Sequence, residues 1–354
     1  MTKPANTALV VGASGVVGRA AVEYFAENPQ WQVLAASRRP LALPEGAQPL
    51  PLPLDLLDPE DCRRKLAQHR DITHVFYTAY LKGDSAAEEV APNLAMLTHL
   101  VDALETEVSG FHHINLMHGQ KWYGNHLGSY RTPAKEDDPR HMPPNLYYDQ
   151  QDFISARQSG KAWSWSALRP QAPLVFSRGS PMNQLLIVAL YGTMCRELGL
   201  PLHFPGSEAC YRALYQITDP GLLARSMEWL ATQPQCANQA FNVTNGDLFR
   251  WCNFWPRLAT FFDIKPGEIR PISLARIMAD KSGLWERIVG KHGLQPYAMS
   301  ELVDWAWGDF IFNSGYDNVS STLKLRWSGF TECHDSEECY LEALAGLRRD
   351  RVIP

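Results

Sequence analysis

Short apolar runs alternate with stretches of helical spacing along the first half of the chain. The run Thr7-Ala8-Leu9-Val10-Val11 closes on a glycine, and residues 16–28 then carry apolar side chains at helical intervals, so the chain opens strand, turn, helix. Comparable runs recur at 32–36, 74–80, 113–117 and 164–168, with helical stretches between them, the clearest at 93–107. Strands alternating with helices in this way predict right-handed βαβ units and a parallel sheet buried on both faces. The reading is an α/β fold: a Rossmann-type doubly wound parallel sheet with a smaller, mainly helical C-terminal substrate domain. The regular alternation stops after Arg169-Pro170, where tryptophan, methionine and proline become frequent. The first unit is therefore placed at 1–175, the second at 176–354. Ala240-Phe241-Asn242-Val243 reads as a late strand near 240–245 that returns to the sheet, so the two units interleave.

Composition narrows the class. Hydrophobic residues make up 45% of 354 and charged residues 20%, with no run near the roughly 18 apolar residues of a membrane helix. A net charge of -5 without a lysine or arginine block predicts neither a nucleic-acid nor a membrane partner. Residues 1–6 lead straight into a strand and leave no room for a signal segment, which predicts a cytoplasmic protein. The seven cysteines are scattered and odd in number, as free thiols would be. Cys333-His334 with Cys339 matches no standard zinc spacing, and no metal is expected.

The sharpest chemical signal is Gly12-Ala13-Ser14-Gly15-Val16-Val17-Gly18, a G-x-x-G-x-x-G spacing between a strand and a helix. Gly12 permits the tight turn, Gly15 a close backbone approach to a pyrophosphate, and Gly18 close packing of helix on strand. The second strand ends Ser37-Arg38-Arg39, where an NAD site would place a carboxylate for the ribose. A guanidinium there pairs with a 2′-phosphate instead, so NADPH (NADP) is the expected cofactor. Asp55 and Leu56, after the third strand, are placed to meet the adenine.

Short-chain dehydrogenases place a lysine four residues after a catalytic tyrosine; none of the thirteen tyrosines here has one. Lys121, in His118-Gly119-Gln120-Lys121-Trp122-Tyr123, follows the fifth strand at the sheet's carboxyl edge. Tyr147, in Asn145-Leu146-Tyr147-Tyr148, begins the next helical segment, so the fold could bring the pair together.

These segments, together with Thr73-His74-Val75-Phe76-Tyr77, Arg169-Pro170, Ala240-Phe241-Asn242-Val243-Thr244-Asn245-Gly246-Asp247 and Trp307-Gly308-Asp309, resemble the progesterone 5β-reductase and iridoid synthase-like enzymes over nearly the whole chain. That family is an atypical branch of the short-chain dehydrogenases. The resemblance implies a catalytic pair at Lys121 and Tyr147, with Tyr147 also at the cofactor. It further implies cofactor contacts at Ala79, Met117, Ser180 and Met182. It departs at His118 and Trp122, where the family has threonine and histidine, and at Tyr80, where plant members often carry tryptophan. Gly124-Asn125-His126-Leu127 also lacks the aromatic residue that covers the substrate, so steroid or monoterpenoid specificity does not simply follow.

The implied reaction is NADPH-dependent 1,4-reduction of the C=C bond of a small apolar enone or enal. Tyr147 would donate a hydrogen bond to the forming enolate, and Lys121 would orient it. Trp305, Trp307, Met182 and Phe176 are candidates for an apolar substrate wall. The alternatives are 1,2-reduction of a carbonyl and a non-catalytic NADPH-sensing regulator. A homodimer is left open.

Overall fold

The computed structural model describes residues 5–38 and 49–354. The chain begins β1 (Asn6–Val11), α1 (Val16–Glu27), β2 (Trp31–Ser37), β3 (Leu50–Pro53), α2 (Pro59–Leu66), β4 (His74–Tyr77), α3 (Ala86–Glu107), β5 (His113–Met117), α4 (Leu146–Gln158) and β6 (Ser164–Pro170). It continues through α5 (Gln184–Glu197), β7 (Leu202–Phe204), α6 (Glu208–Arg212), β8 (Leu214–Tyr215), α7 (Pro220–Thr232), β9 (Gln239–Val243) and β10 (Phe249–Arg250). The last elements are α8 (Trp251–Phe261), β11 (Pro266–Ile269), α9 (Leu274–Met278), α10 (Ser282–His292), α11 (Met299–Leu302), α12 (Trp305–Asn313), α13 (Leu323–Trp327) and α14 (Ser336–Arg349).

Seven strands form one sheet in the order β3-β2-β1-β4-β5-β6-β9, every neighbouring pair parallel. Successive strand residues point to opposite faces, and both faces of β1 are apolar, so each must be covered. Ala8 and Val10 pack with Phe25 of α1 and Leu222 and Met227 of α7. Leu9 and Val11 pack on the other face with Leu66 of α2, Leu97 of α3 and Ile154 of α4. Ala240 to Val243 joins the sheet within β9 beside β6, as the late apolar run predicts.

The C-terminal part is not purely helical: β11 pairs with β7 and β10 with β8 in two short ladders. Its core centres on α5, whose residues Gln184 to Cys195 are all buried, ringed by Phe204, Trp251, Trp255, Phe312 and Tyr340. The helix expected at 93–107 starts earlier, at Ala86, and runs through Pro92. Ser85 caps its first turn by accepting from the Glu88 amide, and Glu88 and Glu89 complement the positive end of the helix dipole. Among the described residues no helix is long and apolar enough to cross a membrane.

Candidate active site

Strand order reverses between β1 and β4: the chain leaves β1 toward β2 and β3, then returns to β4 and moves the other way. Such a switch point opens a crevice at the carboxyl ends of the strands. A cavity of about 670 Å³ lies there. Its base is the β1–α1 turn, where Gly12 has φ +85°, a conformation side chains other than glycine rarely adopt. A Cβ on Gly12 would come 2.7 Å from the Ala79 nitrogen, and one on Gly18 would come 2.2 Å from the Gly12 oxygen. Gly15 differs: an added Cβ would meet only the Gly12 oxygen, at 3.2 Å. Gly15 caps α1 without a side-chain hydrogen bond, and no acidic residue sits in the first turn. The helix start, with Ser14, Gly15, Val16 and Val17 on the cavity wall, therefore fits an anionic pyrophosphate.

Ser37, Arg38, Asp55 and Leu56 line the same cavity, as do Ala79, Met117, Ser180 and Met182. Gly18 is buried and is not part of the wall; its role is helix packing. Arg39 lies outside the described residues. The segment 177–182 closes over the turn: the Ser177 hydroxyl donates to the Ser14 carbonyl at 3.2 Å, and Arg178 pairs with Glu301 at 2.7 Å. Tyr80 lines the groove as well, with Thr78 and Lys82, which no sequence motif marked. Thr78 donates its amide and its hydroxyl to the Val11 carbonyl, both at 2.8 Å, tying the ends of β4 and β1 together.

Lys121 sits in a 3-10 turn, Gln120–Tyr123, directly after β5. Asn145 joins this turn to the start of α4. Its Oδ1 accepts from the Tyr147 amide at 3.1 Å, and its Nδ2 donates to the Lys121 carbonyl at 2.8 Å. The Tyr148 hydroxyl adds a bond to the Trp122 carbonyl at 2.6 Å. The segments that carry Lys121 and Tyr147 are thus held together, although among the described residues no hydrogen bond links the ammonium to the phenol.

Tyr147 stacks on His118, ring centroids 4.9 Å apart, and its hydroxyl lies 3.6 Å from where a Cβ on Gly119 would stand. Its ring is part of neither cavity wall described here. Burial, and then the Glu89 carboxylate, push the phenol up to about 12, so it is protonated at neutral pH and able to donate. Tyr80 donates to the same Glu89. His118 is held neutral by burial and by the cations of Arg169 and Arg140. Arg169, 1% exposed, supports the turn from below: its guanidinium lies 3.7 Å over the Trp122 ring and donates to the Tyr123 hydroxyl at 2.9 Å.

A second cavity, about 320 Å³, shares Val16, Val17 and Met182 with the groove. Lys121, Asn125 and His126 form one part of its wall and Trp307, Phe310 and Ile311 of α12 another. Of the four residues expected to supply an apolar wall, Trp307 and Met182 do so. Trp305 and Phe176 do not: Trp305 is buried in the C-terminal core, and Phe176 packs against that core beside Tyr297. Leu127 is 66% exposed and lines neither cavity. Gln171, Gln184 and Tyr215, also on the wall, come from segments that carry no motif.

Elsewhere, folding brings Asp219 to His334 and Cys339, whose ligand-type atoms lie within 4.8 Å of one another, a third member that sequence spacing could not show. Arg225 already engages the cluster, 4.0 Å from Asp219 and forked onto Glu332, which holds His334 at 2.8 Å. Arg225 thus forms ion pairs with both Asp219 and Glu332.

The family model for a PRISE-like Rossmann-fold domain matches residues 8–314. Among curated relatives, the short chain dehydrogenase gsfE of Penicillium aethiopicum is 30% identical, covering 99% of this chain and 99% of its own. The (S)-8-oxocitronellyl enol synthase ISY1 of Nepeta racemosa is 29% identical, covering 99% of this chain and 93% of its own. Among solved structures, a putative epimerase from Burkholderia cenocepacia superposes with a TM-score of 0.69 at 16% identity, covering 98% and 100% of the two chains. RMD from Pseudomonas aeruginosa complexed with NADPH superposes with a TM-score of 0.65 at 16% identity, covering 96% and 99%. At these identities the structures speak to the fold.

Proposed function

Because the chain belongs to the PRISE-like Rossmann-fold family, we propose that it is an NADPH-dependent reductase of the short-chain dehydrogenase/reductase superfamily acting on the C=C bond of a small α,β-unsaturated carbonyl compound. The observation that carries the reading is the junction at Val16, Val17 and Met182, where a groove fitted to a dinucleotide opens onto a cavity walled by Lys121. Relatives named enol synthases fit a reaction whose first product is an enol, as hydride addition to a conjugated carbonyl compound gives.

NADPH held in the groove would supply a hydride for the β-carbon, and a proton from water at the α-carbon would complete the reduction. The protein's part is to hold the alkene in the adjoining cavity, which exchanges a bimolecular encounter for a fixed geometry. Negative charge would develop on the substrate carbonyl oxygen; the Tyr147 phenol, protonated at neutral pH and set beside Gly119 behind the lining of both cavities, would donate to it where that oxygen reaches past the wall to Gly119. Lys121 adds positive potential on the cavity wall. Arg38 and Ser37 would hold the 2′-phosphate end and Asp55 and Leu56 the adenine, with Ala79, Met117, Ser180 and Met182 on the rest of the cavity wall.

Product analysis with 2-cyclohexen-1-one tests the reaction. Cyclohexanone is the expected product; an allylic alcohol would replace this reading with 1,2-reduction, and tight NADPH binding without turnover across enones and carbonyls would favour a sensor. Cofactor choice is tested separately. A charge-assisted hydrogen bond contributes about 1.5–3 kcal/mol, so Arg38→Ala should weaken NADPH binding roughly ten- to hundredfold and leave NADH affinity almost unchanged. Equal losses, measured by fluorescence titration, would remove the guanidinium from the 2′-phosphate.

A further inference from the structure

The cluster of Asp219, His334 and Cys339 lines neither cavity and takes no part in the reaction proposed above. It forms where the starts of two helices meet. Asp219 caps α7 by accepting from the Leu222 amide at 2.7 Å, while His334 and Cys339 straddle Asp335, which caps α14. The main chain at His334 is fixed by its amide, which donates to the Asn245 carbonyl at 2.9 Å. His334 Nδ1 stands 3.6 Å from Asp219 Oδ1 and 3.7 Å from Cys339 Sγ. Zinc bonds of about 2.0–2.3 Å at tetrahedral angles hold such ligand atoms about 3.3–3.6 Å apart. Two edges of the set are therefore close to their bound length, and the third, within 4.8 Å, closes by a small rotation of the Asp219 or Cys339 side chain.

The imidazole is also set for ligation. The Glu332 carboxylate, an acceptor only, lies 2.8 Å from His334 Nε2, which puts the proton of the neutral ring there and leaves the Nδ1 lone pair on the side of Asp219 and Cys339. A carboxylate on the far nitrogen is the usual support of a metal-bound histidine. Glu332 is held in turn by Arg225, at 2.9 and 2.8 Å from the guanidinium Nε, so that cation is already paired. The carboxylates of Glu342, Asp247 and Asp335 add negative charge around the Cys339 thiol. His334 and Asp219 are partly exposed, which leaves a way in for an ion.

We propose that Asp219, His334 and Cys339 bind one zinc ion, with water in the fourth position. Thiolate with imidazole selects zinc over calcium or magnesium. Cys339 binds as the thiolate, and its proton passes to solvent. The ion joins α7, which packs on the sheet through Leu222 and Met227, to α14, which packs in the C-terminal core through Tyr340 and Leu344. It fastens one core to the other and stabilises the fold by mass action.

The test uses the full chain without a histidine tag, stripped by chelator and titrated with Co²⁺ as an optical probe, then with Zn²⁺. One equivalent of Co²⁺ should bind with a sulfur-to-cobalt charge-transfer band in the near ultraviolet, which Zn²⁺ then erases. Saturating Zn²⁺ should raise the melting temperature by a few degrees. Cys339→Ser should abolish the band and the melting shift. Asp219→Asn, which retains the helix cap, and Glu332→Gln should each weaken binding at least about tenfold. Cys333→Ser, at the neighbouring thiol, should change neither readout. If Cys339→Ser does not fold, His334→Gln is held to the same loss of binding. A wild type without the sulfur band, a band that persists in Cys339→Ser, or a melting temperature indifferent to Zn²⁺ overturns the site.

Discussion

Tyr147→Phe should lower turnover about 10²- to 10³-fold, the effect of removing one donor to a developing oxyanion, about 3 kcal/mol. NADPH affinity should persist, because the Tyr147 ring is part of neither cavity wall and the substitution deletes only the hydroxyl. The stack on His118 and the amide bond to Asn145 both survive it, so α4 stays where it is. Single-turnover kinetics with bound NADPH separates chemistry from binding, and unchanged turnover would take the phenol out of the reaction. The pH dependence sharpens the test. The phenol is the donor only while protonated, and burial with the Glu89 charge raises it to about 12. Turnover should therefore stay level through pH 10, where an ordinary tyrosine would already be half ionised, and fall only as pH approaches about 12.

The second large effect separates two glycines of one loop. Alanine in a helix is normally better than glycine by about 1 kcal/mol, which would make Gly18→Ala stabilising. Its Cβ, however, would stand 2.2 Å from the Gly12 oxygen and 2.7 Å from the Thr78 hydroxyl. Those atoms belong to the β1–α1 turn and to the tie between β4 and β1, so the helix must move. Overpacking of this kind costs about 1–3 kcal/mol, occasionally more, and outweighs the propensity gain. Gly18→Ala should lower the melting temperature by several degrees. Gly15→Ala should melt close to the wild type, since its added carbon meets only one atom at 3.2 Å, yet it should lose NADPH affinity at least about tenfold because the methyl enters the space of the pyrophosphate. Thermal melts combined with nucleotide titration distinguish the two patterns.

These contrasts show why some of the molecule was legible in the sequence. The inner strands of the sheet could be read because they are buried on both faces and appear as apolar runs, and the first turn because Gly12 and Gly18 are sites where any side chain collides; the largely exposed edge strand β3 shows no such run. Ser37, Arg38, Asp55 and Leu56 follow from the strand-end rule alone, and the structure puts all four on the groove wall. Lys121 and Tyr147 were suggested by their positions after β5 and at the start of α4. What joins their segments is Asn145, and a side-chain bond across 24 residues leaves no periodic trace. The second cavity was mostly illegible. Gln171, Gln184 and Tyr215 meet there only through tertiary packing, and Trp305 and Trp307, two residues apart on α12, differ in whether they face the core or the ligand space.

The Asn145 carboxamide also has a bearing on how this architecture can diversify. With the main chains of Lys121 and Tyr147 pinned to one joint, the 3-10 turn leads into a loop tied again at Ala134, and Asn125 and His126 on the cavity wall lie between the two ties. Lengthening a closed loop is cheap: each doubling costs only about 0.6 kcal/mol of closure entropy. Insertions and replacements in that loop can reshape what the cavity admits while the main-chain anchors of Lys121 and Tyr147 stay joined. A helix that carried both groups four residues apart would give the surrounding chain no such latitude.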